Sequence, residues 1–215
     1  MADTHDSEDD GRIEAGRKLF AGPVTFLMGV AKLEQLPDAF PAEVAFAGRS
    51  NVGKSSLINA VSGQHDLARA SNTPGRTREL NYFIAGNGKL AIVDLPGYGY
   101  AKAEKTAVKT WQRLIRNYLK GRPGLRRVFV LADARHGLKP QDSATLALLD
   151  EAAVNYQLVL TKADKCSARE LAAVAATTAQ AVSKRPAAHP QLIVTSAKTG
   201  AGIAELRAEL AGMIS

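Results

Sequence analysis

The chain has 215 residues, of which 46% are hydrophobic and 23% are charged, as in ordinary globular domains. No run approaches the ~20 apolar residues of a membrane-spanning helix, and the acidic start MADTHDSEDD argues against a secretory signal peptide. The single cysteine, Cys166, excludes an internal disulfide framework and a cysteine-based metal site. We therefore expect a cytoplasmic protein without membrane insertion.

Charge is unevenly distributed along the chain. Residues 1–10 contain five acidic residues and no lysine or arginine, whereas the other 205 residues contain 28 basic and 16 acidic residues, a net charge of +12. Such a basic body favours polyanionic partners such as nucleic acid, although the same charge also serves solubility. We expect residues 1–12 to form a disordered acidic tail, because they contain almost nothing apolar to bury.

Short apolar runs alternate with helical patterns along the rest of the chain. The predicted strands cover residues 43–48, 79–86, 89–94, 127–132, 156–161 and 191–195. The predicted helices cover residues 54–62, 103–120, 141–154, 167–183 and 202–213. This alternation predicts a parallel sheet with helices on both faces, and the turn signal Gly86-Asn87-Gly88 predicts one antiparallel hairpin. The expected fold is an α/β three-layer sandwich whose six-stranded, mostly parallel sheet contains one antiparallel strand.

The segment from Gly48 to Ser55 fits the phosphate-binding pattern GxxxxGK[ST] between a predicted strand and a predicted helix. Backbone N–H groups and the helix N-terminus would hold the phosphates, with Lys54 reaching the β- and γ-phosphates. The Ser55 hydroxyl would bind a magnesium ion directly. The pattern predicts a P-loop NTPase. The expected nucleotide contacts in this loop are Gly48, Arg49, Ser50, Asn51, Val52, Gly53, Lys54, Ser55 and Ser56.

Two later segments are typical of loops that sense the γ-phosphate. Asp94-Leu95-Pro96-Gly97 follows a predicted strand, and it would hold magnesium through a water on Asp94 and contact the γ-phosphate through the Gly97 N–H. The polar loop over 71–77 would supply a magnesium-binding threonine, Thr77 in the first place and Thr73 in the second. The expected catalytic contacts are Lys54, Thr77 and Gly97. The expected nucleotide contacts in the two loops are Gly75, Arg76, Thr77, Asp94 and Gly97.

Two further segments indicate guanine rather than adenine. Thr161-Lys162-Ala163-Asp164 resembles the NKxD motif, in which Asp164 would accept hydrogen bonds from the guanine ring N–H and amine. Thr161 stands where asparagine is usual, which leaves open its bond to the phosphate loop. Thr195-Ser196-Ala197-Lys198 resembles the SAK motif, whose Ala197 N–H would contact the guanine oxygen. The expected base contacts are Thr161, Lys162, Asp164, Thr195, Ser196 and Ala197.

These motifs, together with TPGRT at 73–77, DLPGYGYA at 94–101 and DARHGL at 133–138, resemble the EngB (YihA/YsxC) family within the TrmE-Era-EngA-EngB-septin-like group of GTPases. The likeness covers about residues 20–215, and TKxD in place of NKxD is common in this family. It implies a bacterial GTPase that uses GTP, GDP and magnesium in late assembly of the large ribosomal subunit and in normal cell division and septation. Residues 13–215 would form a single GTP-binding domain with an N-terminal extension, and nothing requires more than a monomer.

The residue after Gly97 is Tyr98, whereas many small GTPases carry there a glutamine that orients the attacking water. We therefore expect slow intrinsic hydrolysis that a partner, a rearranged loop or a cation stimulates. Asn51 is a candidate potassium ligand by its likeness to potassium-activated GTPases, or a tie between the phosphate loop and the neighbouring switch. Arg76 is a candidate arginine finger or an ordinary solvated side chain.

The helix predicted over 103–120 would carry one basic face at helical spacing. That face would contact ribosomal RNA phosphates or be an ordinary solvated surface. Its residues are Lys102, Lys105, Lys109, Arg113, Arg116 and Lys120. Arg122, Arg126 and Arg127 continue the positive run.

Two other functions have to be weighed against a GTPase switch. A P-loop ATPase or kinase would not need Asp164, so the sequence favours the GTPase. A non-enzymatic RNA-binding scaffold that uses GTP only for stability stays open, because Tyr98 replaces the usual glutamine.

Overall fold

A computed structural model describes residues 3–68, 79–98, 113 and 115–214. The helices are α1 (Asp3–Leu19), α2 (Lys54–Ser62), α3 (115–121), α4 (Asp142–Glu151), α5 (Ala168–Val182) and α6 (Ile203–Ala211). The strands are β1 (Thr25–Val30), β2 (Ala42–Gly48), β3 (Leu80–Ala85), β4 (Leu90–Asp94), β5 (Leu125–Asp133), β6 (Tyr156–Thr161) and β7 (Ile193–Val194). None of these helices combines the length and the apolar composition that crossing a membrane requires.

The described strands form one sheet in the order β1-β3-β4-β2-β5-β6-β7. Strand β3 runs antiparallel to both of its neighbours, and the other adjacent pairs are parallel. The backbone at Gly86, Asn87 and Gly88 has positive φ angles of 59°, 54° and 91°, as a tight hairpin turn requires. The predicted hairpin and the mostly parallel sheet are therefore confirmed, but the sheet has seven strands where the sequence predicted six.

The strand that the sequence analysis missed is β1, at one edge of the sheet. It pairs with β3 from Thr25 opposite Ile84 to Val30 opposite Leu80, and the register shifts between Phe26 and Met28. Phe26 and Leu27 are both exposed, although they are consecutive residues. An edge strand with such a bulge shows no alternation of buried and exposed positions, and this alternation is the usual signal of a half-buried strand.

Apolar cores on both faces of the sheet make the molecule a three-layer sandwich. Strands β2, β4 and β6 are buried along their whole length, as expected for parallel strands covered on both faces. On one face, α2 contributes Leu57 and Ile58, and Phe46 stacks on Phe129 at 5.3 Å between ring centroids. On the other face, α3 and α4 bury apolar side chains such as Tyr118. Burying each large side chain stabilises the fold by roughly 1.5–3 kcal/mol, and the predicted layer architecture is confirmed.

The N-terminal segment is helical from Asp3, whereas the sequence led us to expect disorder over residues 1–12. Helix α1 packs on α6, where Arg12 forms an ion pair with Glu209. At the other end of α1, Leu19 and Phe20 are buried in the core. The acidic residues thus continue a helix whose later turns are anchored, and composition alone does not reveal this anchoring.

Candidate nucleotide-binding site

The predicted nucleotide-binding motifs meet at one edge of the sheet, the edge formed by the carboxyl ends of its parallel strands. Strand β2 lies between β4 and β5 in the sheet. The chain therefore places β3 and β4 on one side of β2, and then crosses to place β5, β6 and β7 on the other side. Such a switch point opens a crevice at the carboxyl ends of parallel strands. Gly48 ends β2, Asp94 ends β4, Asp133 ends β5 and Thr161 ends β6, while Thr195 follows β7 directly. The crevice is therefore lined by residues from five strand ends.

The phosphate loop turns from β2 into α2 through two left-handed residues, Asn51 with φ 62° and Gly53 with φ 104°. A Cβ at Gly53 would lie 3.4 Å from the Lys162 side chain, so the loop and the base-binding segment are in close contact. The N-terminus of α2 begins at Lys54, the first residue after this turn. The helix dipole, free N–H groups and the lysine together favour an anion at this position.

Lys54 and Asp94 form a largely buried ion pair at the centre of the edge. Burial raises the pKa of Asp94, and the adjacent Lys54 ammonium opposes that shift. Ser55 follows in the first turn of α2 and is half-buried. Phosphate binding would offer Lys54 a more highly charged partner and would leave the Asp94 carboxylate free for another cation.

Thr161 and Lys162 connect the base-binding segment to the phosphate loop. The Thr161 hydroxyl donates to the Val52 carbonyl at 2.6 Å, so threonine makes the contact whose presence the sequence left open. Lys162 Nζ donates to the Asn51 carbonyl at 2.7 Å, and its backbone is left-handed with φ 60°. A left-handed lysine is uncommon and costs conformational energy, which is typical of functional sites. The two bonds fix the distance between the phosphate loop and the base-binding segment.

Asp164 and Ser196 bring the two base-binding motifs together. Ser196 Oγ donates to Asp164 Oδ1 at 2.7 Å, and the Ala163 N–H donates to the Thr195 carbonyl at 3.1 Å. The serine hydrogen bond lowers the pKa of Asp164, so the carboxylate stays ionised. An ionised carboxylate is acceptor-only, as recognition of two guanine donors requires.

Asp133 belongs to the same edge, although the sequence analysis gave it no role beyond the DARHGL segment. Its carboxylate pairs with Lys162 at 3.0 Å and accepts two hydrogen bonds from the Arg135 guanidinium at 2.9 and 2.8 Å. Burial opposes ionisation of Asp133, but the hydrogen bonds from Arg135 and Lys162 outweigh it and lower its pKa. Its position at the end of a predicted strand is the signal that could have identified it.

Several predicted residues lie outside the part of the chain that the structure describes. They are Thr73, Gly75, Arg76 and Thr77 in the first switch loop and Lys102, Lys105 and Lys109 in the basic face. Their assigned roles stay predictions.

The described half of the predicted basic face lies on α3 and just before it. Arg113, Arg116 and Lys120 are exposed, while Tyr118 is buried, so the helix is amphipathic as predicted. Lys120 forms an ion pair with Glu151 of α4 at 3.0 Å, which partly neutralises the positive charge at that end of the face.

The continuation of the basic run past α3 is a correction to the sequence analysis. The Arg122 side chain is only 8% exposed, because it forms an ion pair with the buried carboxylate of Glu43. Arg127 pairs with Glu209 at 2.9 Å. Arg126 donates to the Pro41 carbonyl at 3.1 Å. Arg122 and Arg127 thus pair with carboxylates of the protein itself, whereas Arg126 stays exposed, so past Lys120 only Arg126 continues the positive surface.

Comparison with known proteins gives a consistent result. The family model described as 50S ribosome-binding GTPase matches residues 43–162. A protein of Rhodospirillum rubrum named "Probable GTP-binding protein EngB" is 56% identical over 215 residues, covering 98% of this chain and 93% of the relative. A protein of the same name from Cereibacter sphaeroides is 57% identical over 199 residues, covering 93% and 91%.

A solved structure supports the same similarity. The crystal structure of a probable GTP-binding protein engB superposes with a TM-score of 0.64 at 25% sequence identity. The match covers 80% of this chain and 98% of that structure.

Proposed function

The chain belongs to the EngB family of GTP-binding proteins, and we propose that it is a magnesium-dependent GTPase switch acting on the large ribosomal subunit. Membership of this family confirms the resemblance inferred from the motifs. The main support for the proposal is that the base-binding segment and the phosphate loop are hydrogen-bonded to each other. The base-binding residues Thr161 and Lys162 donate hydrogen bonds to carbonyls of the phosphate loop itself.

The residues have distinct roles in binding the nucleotide. The phosphate loop and the α2 N-terminus bind the phosphates, and Lys54 exchanges its partner Asp94 for phosphate oxygens. Asp164, held by Ser196, accepts the two guanine donors. Adenine offers neither donor in that pattern, so it leaves a carboxylate without partners, which is costly.

Magnesium is part of the proposal, and the residues present suit this ion. Ser55, the residue after Lys54, and Asp94, the ion-pair partner of Lys54, offer hard oxygen donors. Ser55 and Thr77 are expected to bind the ion directly and Asp94 through a water. Bound magnesium would neutralise charge on the phosphates. A potassium ion bound by Asn51 is proposed only from the likeness to potassium-activated GTPases. Faster hydrolysis in potassium chloride than in sodium chloride would support it, and equal rates would contradict it.

Hydrolysis is proposed to be slow without a stimulating partner. The Tyr98 hydroxyl donates to Asp142 at 2.9 Å, so it is engaged away from any water in the crevice. Burial, and then the Asp142 charge, raise the pKa of Tyr98, which removes it as a general base near neutral pH. Single-turnover hydrolysis with and without large ribosomal subunits distinguishes a switch from a scaffold, because only the switch turns over faster with subunits.

The test of guanine specificity is a titration with fluorescent GDP and GTP analogues in the presence of magnesium. ATP should not compete, and Asp164→Asn should weaken GDP binding at least about tenfold, since two hydrogen bonds to a charged acceptor are lost. The same variant should gain affinity for xanthosine diphosphate relative to GDP, because xanthine has a carbonyl where guanine has an amine. Equal competition by ATP, or an unchanged Asp164→Asn variant, would contradict a guanine site.

The ribosomal role is proposed from the family and from the exposed basic face. The resemblance extends it to normal cell division and septation, and we expect a cytoplasmic monomer. Reversing two described charges, Arg113→Glu with Arg116→Glu, should weaken co-sedimentation with large subunits and lower its salt dependence.

The matched control for this variant is Arg169→Glu with Lys184→Glu, which changes the net charge equally at exposed positions elsewhere. Equal effects of both double variants would mean that net charge alone is responsible. No effect of the first variant would remove the basic face from the proposal.

A further inference from the structure

A buried carboxylate beside the phosphate loop is not among the nucleotide contacts described above. Asp142, at the start of α4, is 1% exposed. Its Oδ1 accepts from the Tyr98 hydroxyl at 2.9 Å and lies 3.3 Å from Arg49 Nε, and its Oδ2 accepts from the Lys139 N–H at 2.7 Å. Asp142 therefore contacts residues from the two loops that surround the γ-phosphate position.

The backbone of Tyr98 is itself attached to the phosphate loop. The Tyr98 N–H donates to the Gly48 carbonyl at 3.2 Å, and the Ser50 N–H donates to the Tyr98 carbonyl at 3.2 Å. These bonds add one parallel bridge beyond the end of the β2 and β4 ladder. The position of Tyr98 is thus fixed by its backbone on one side and by its hydroxyl on the other.

Gly97, which immediately precedes Tyr98, is held against the phosphate loop as a result. A Cβ on Gly97 would lie 2.9 Å from Ser50 Oγ and 3.2 Å from the Ser50 nitrogen, so a side chain here would crowd the phosphate loop. The Gly97 N–H is the proposed sensor of the γ-phosphate. Its location depends on where the next residue is anchored, and the side-chain anchor is Asp142.

We propose that Asp142, acting through the Tyr98 hydroxyl, is a positioning residue that places the Gly97 N–H for the γ-phosphate and so sets the ratio of GTP affinity to GDP affinity. This inference rests on the proposed function. GDP has no γ-phosphate, so its affinity does not depend on the placement of Gly97. GTP affinity does depend on it, which makes the ratio of the two affinities the quantity that Asp142 controls.

The experiment compares Tyr98→Phe and Asp142→Asn with the wild-type protein by titrating GDP and a non-hydrolysable GTP analogue. Tyr98→Phe keeps the ring and removes one hydrogen bond to a charged acceptor. A bond of this kind corresponds to at least about a tenfold change in an equilibrium. We expect both variants to lose about that factor in affinity for the GTP analogue, with GDP affinity changed less than about twofold.

The matched control is Tyr118→Phe. The Tyr118 hydroxyl donates at 3.3 Å to another buried carboxylate, Glu43, which lies near the start of β2 and far from the phosphate loop. This variant should leave the ratio of GTP to GDP affinity unchanged. Unchanged ratios in both test variants, or an equal change in Tyr118→Phe, would overturn the inference. Failure of the wild-type protein to bind guanine nucleotides would instead reject the proposed function, so the two failures are distinguishable.

Discussion

The two ends of the central strand β2 carry the same three kinds of side chain in very different states of pairing. Near its start, Glu43 is joined by Arg122 and Tyr118. Just beyond its end, Arg49 meets Asp142 and Tyr98. Glu43 and Arg49 are six positions apart, so the two arginine–carboxylate–tyrosine clusters lie about 20 Å from each other along the extended chain. One end faces the proposed nucleotide and the other does not.

At the start of β2, the Glu43 carboxylate and the Arg122 guanidinium are saturated with hydrogen bonds. Glu43 is completely buried and accepts from the Arg122 Nε at 2.8 and 2.9 Å, from the Tyr118 hydroxyl and from the Phe40 N–H. The remaining Arg122 nitrogens donate to the Pro37 and Asp38 carbonyls. Glu43, Arg122 and Tyr118 are all paired, although the buried hydroxyl of the neighbouring Tyr82 has no hydrogen-bond partner among the described residues. Paired groups of this kind hold one conformation rigidly. This end is a permanent part of the framework.

The cluster at the nucleotide end is incompletely paired. Arg49 Nε lies 3.3 Å from Asp142, a distance suited to an ion pair, but the geometry is not that of a hydrogen bond. Within the described residues, the buried Nε and Nη2 atoms of Arg49 and the Ser50 hydroxyl have no hydrogen-bond partner. Unsatisfied buried polar groups are costly and are retained mainly at functional sites. The comparison indicates that polar groups at this end are arranged for a change of partner.

The largest expected difference between the ends is in stability. Arg122→Met should lower the free energy of unfolding by about 3–5 kcal/mol, because it leaves the fully buried Glu43 carboxylate without its cation. Urea unfolding followed by circular dichroism measures this change. GDP affinity of the folded variant should match that of the wild type, and a loss below about 1 kcal/mol would contradict a framework role for this cluster.

A pH effect distinguishes a well-paired carboxylate at the nucleotide end. Because the folded-state pKa of Asp133 is lowered, its ion pairs contribute stability above the unfolded value of about 4 and lose it as pH falls below that value. Asp133→Asn should therefore destabilise the protein at pH 7 and have a smaller effect near pH 3. Unfolding curves at both values test this, and a penalty that is equal at the two pH values would exclude the ionised form as the source.

The smallest expected effect comes from the arginine at the nucleotide end. Arg49→Met should cost about 1–2 kcal/mol of stability, less than Arg122→Met, because Arg49 makes no hydrogen bond to Asp142 whereas Arg122 donates two to Glu43. The same urea experiment provides the comparison with Arg122→Met. A penalty as large as that of Arg122→Met would show that the two clusters are equivalent and would remove the distinction between them.

The local features of this fold could be predicted from sequence because their signals lie within a few residues. The strand over 156–161 and the helix over 54–62 have the predicted bounds, and the phosphate loop follows from its glycines and lysine. The meeting of the motifs at one edge follows from parallel strand direction alone.

The features that could not be predicted depend on partners distant in sequence. Glu43 and Arg122 are 79 residues apart, and Tyr98 and Asp142 are 44 apart, so no periodic pattern links them. For the same reason Arg122 could not be separated from the basic run that it continues. Strand β1 depends on pairing with β3, and the helical state of residues 3–12 depends on an anchored helix beyond them.

The most direct test of the difference between the two ends is hydrogen–deuterium exchange with GDP, with a non-hydrolysable GTP analogue and without nucleotide. Amides of the phosphate loop, of residues 94–98 and of residues 161–164 should become protected by nucleotide, with further protection of Gly97 and Tyr98 by the GTP analogue. Residues around Glu43 and Arg122 should exchange equally slowly in all three states. Protection that is the same at both ends, or greater around Glu43, would contradict the account.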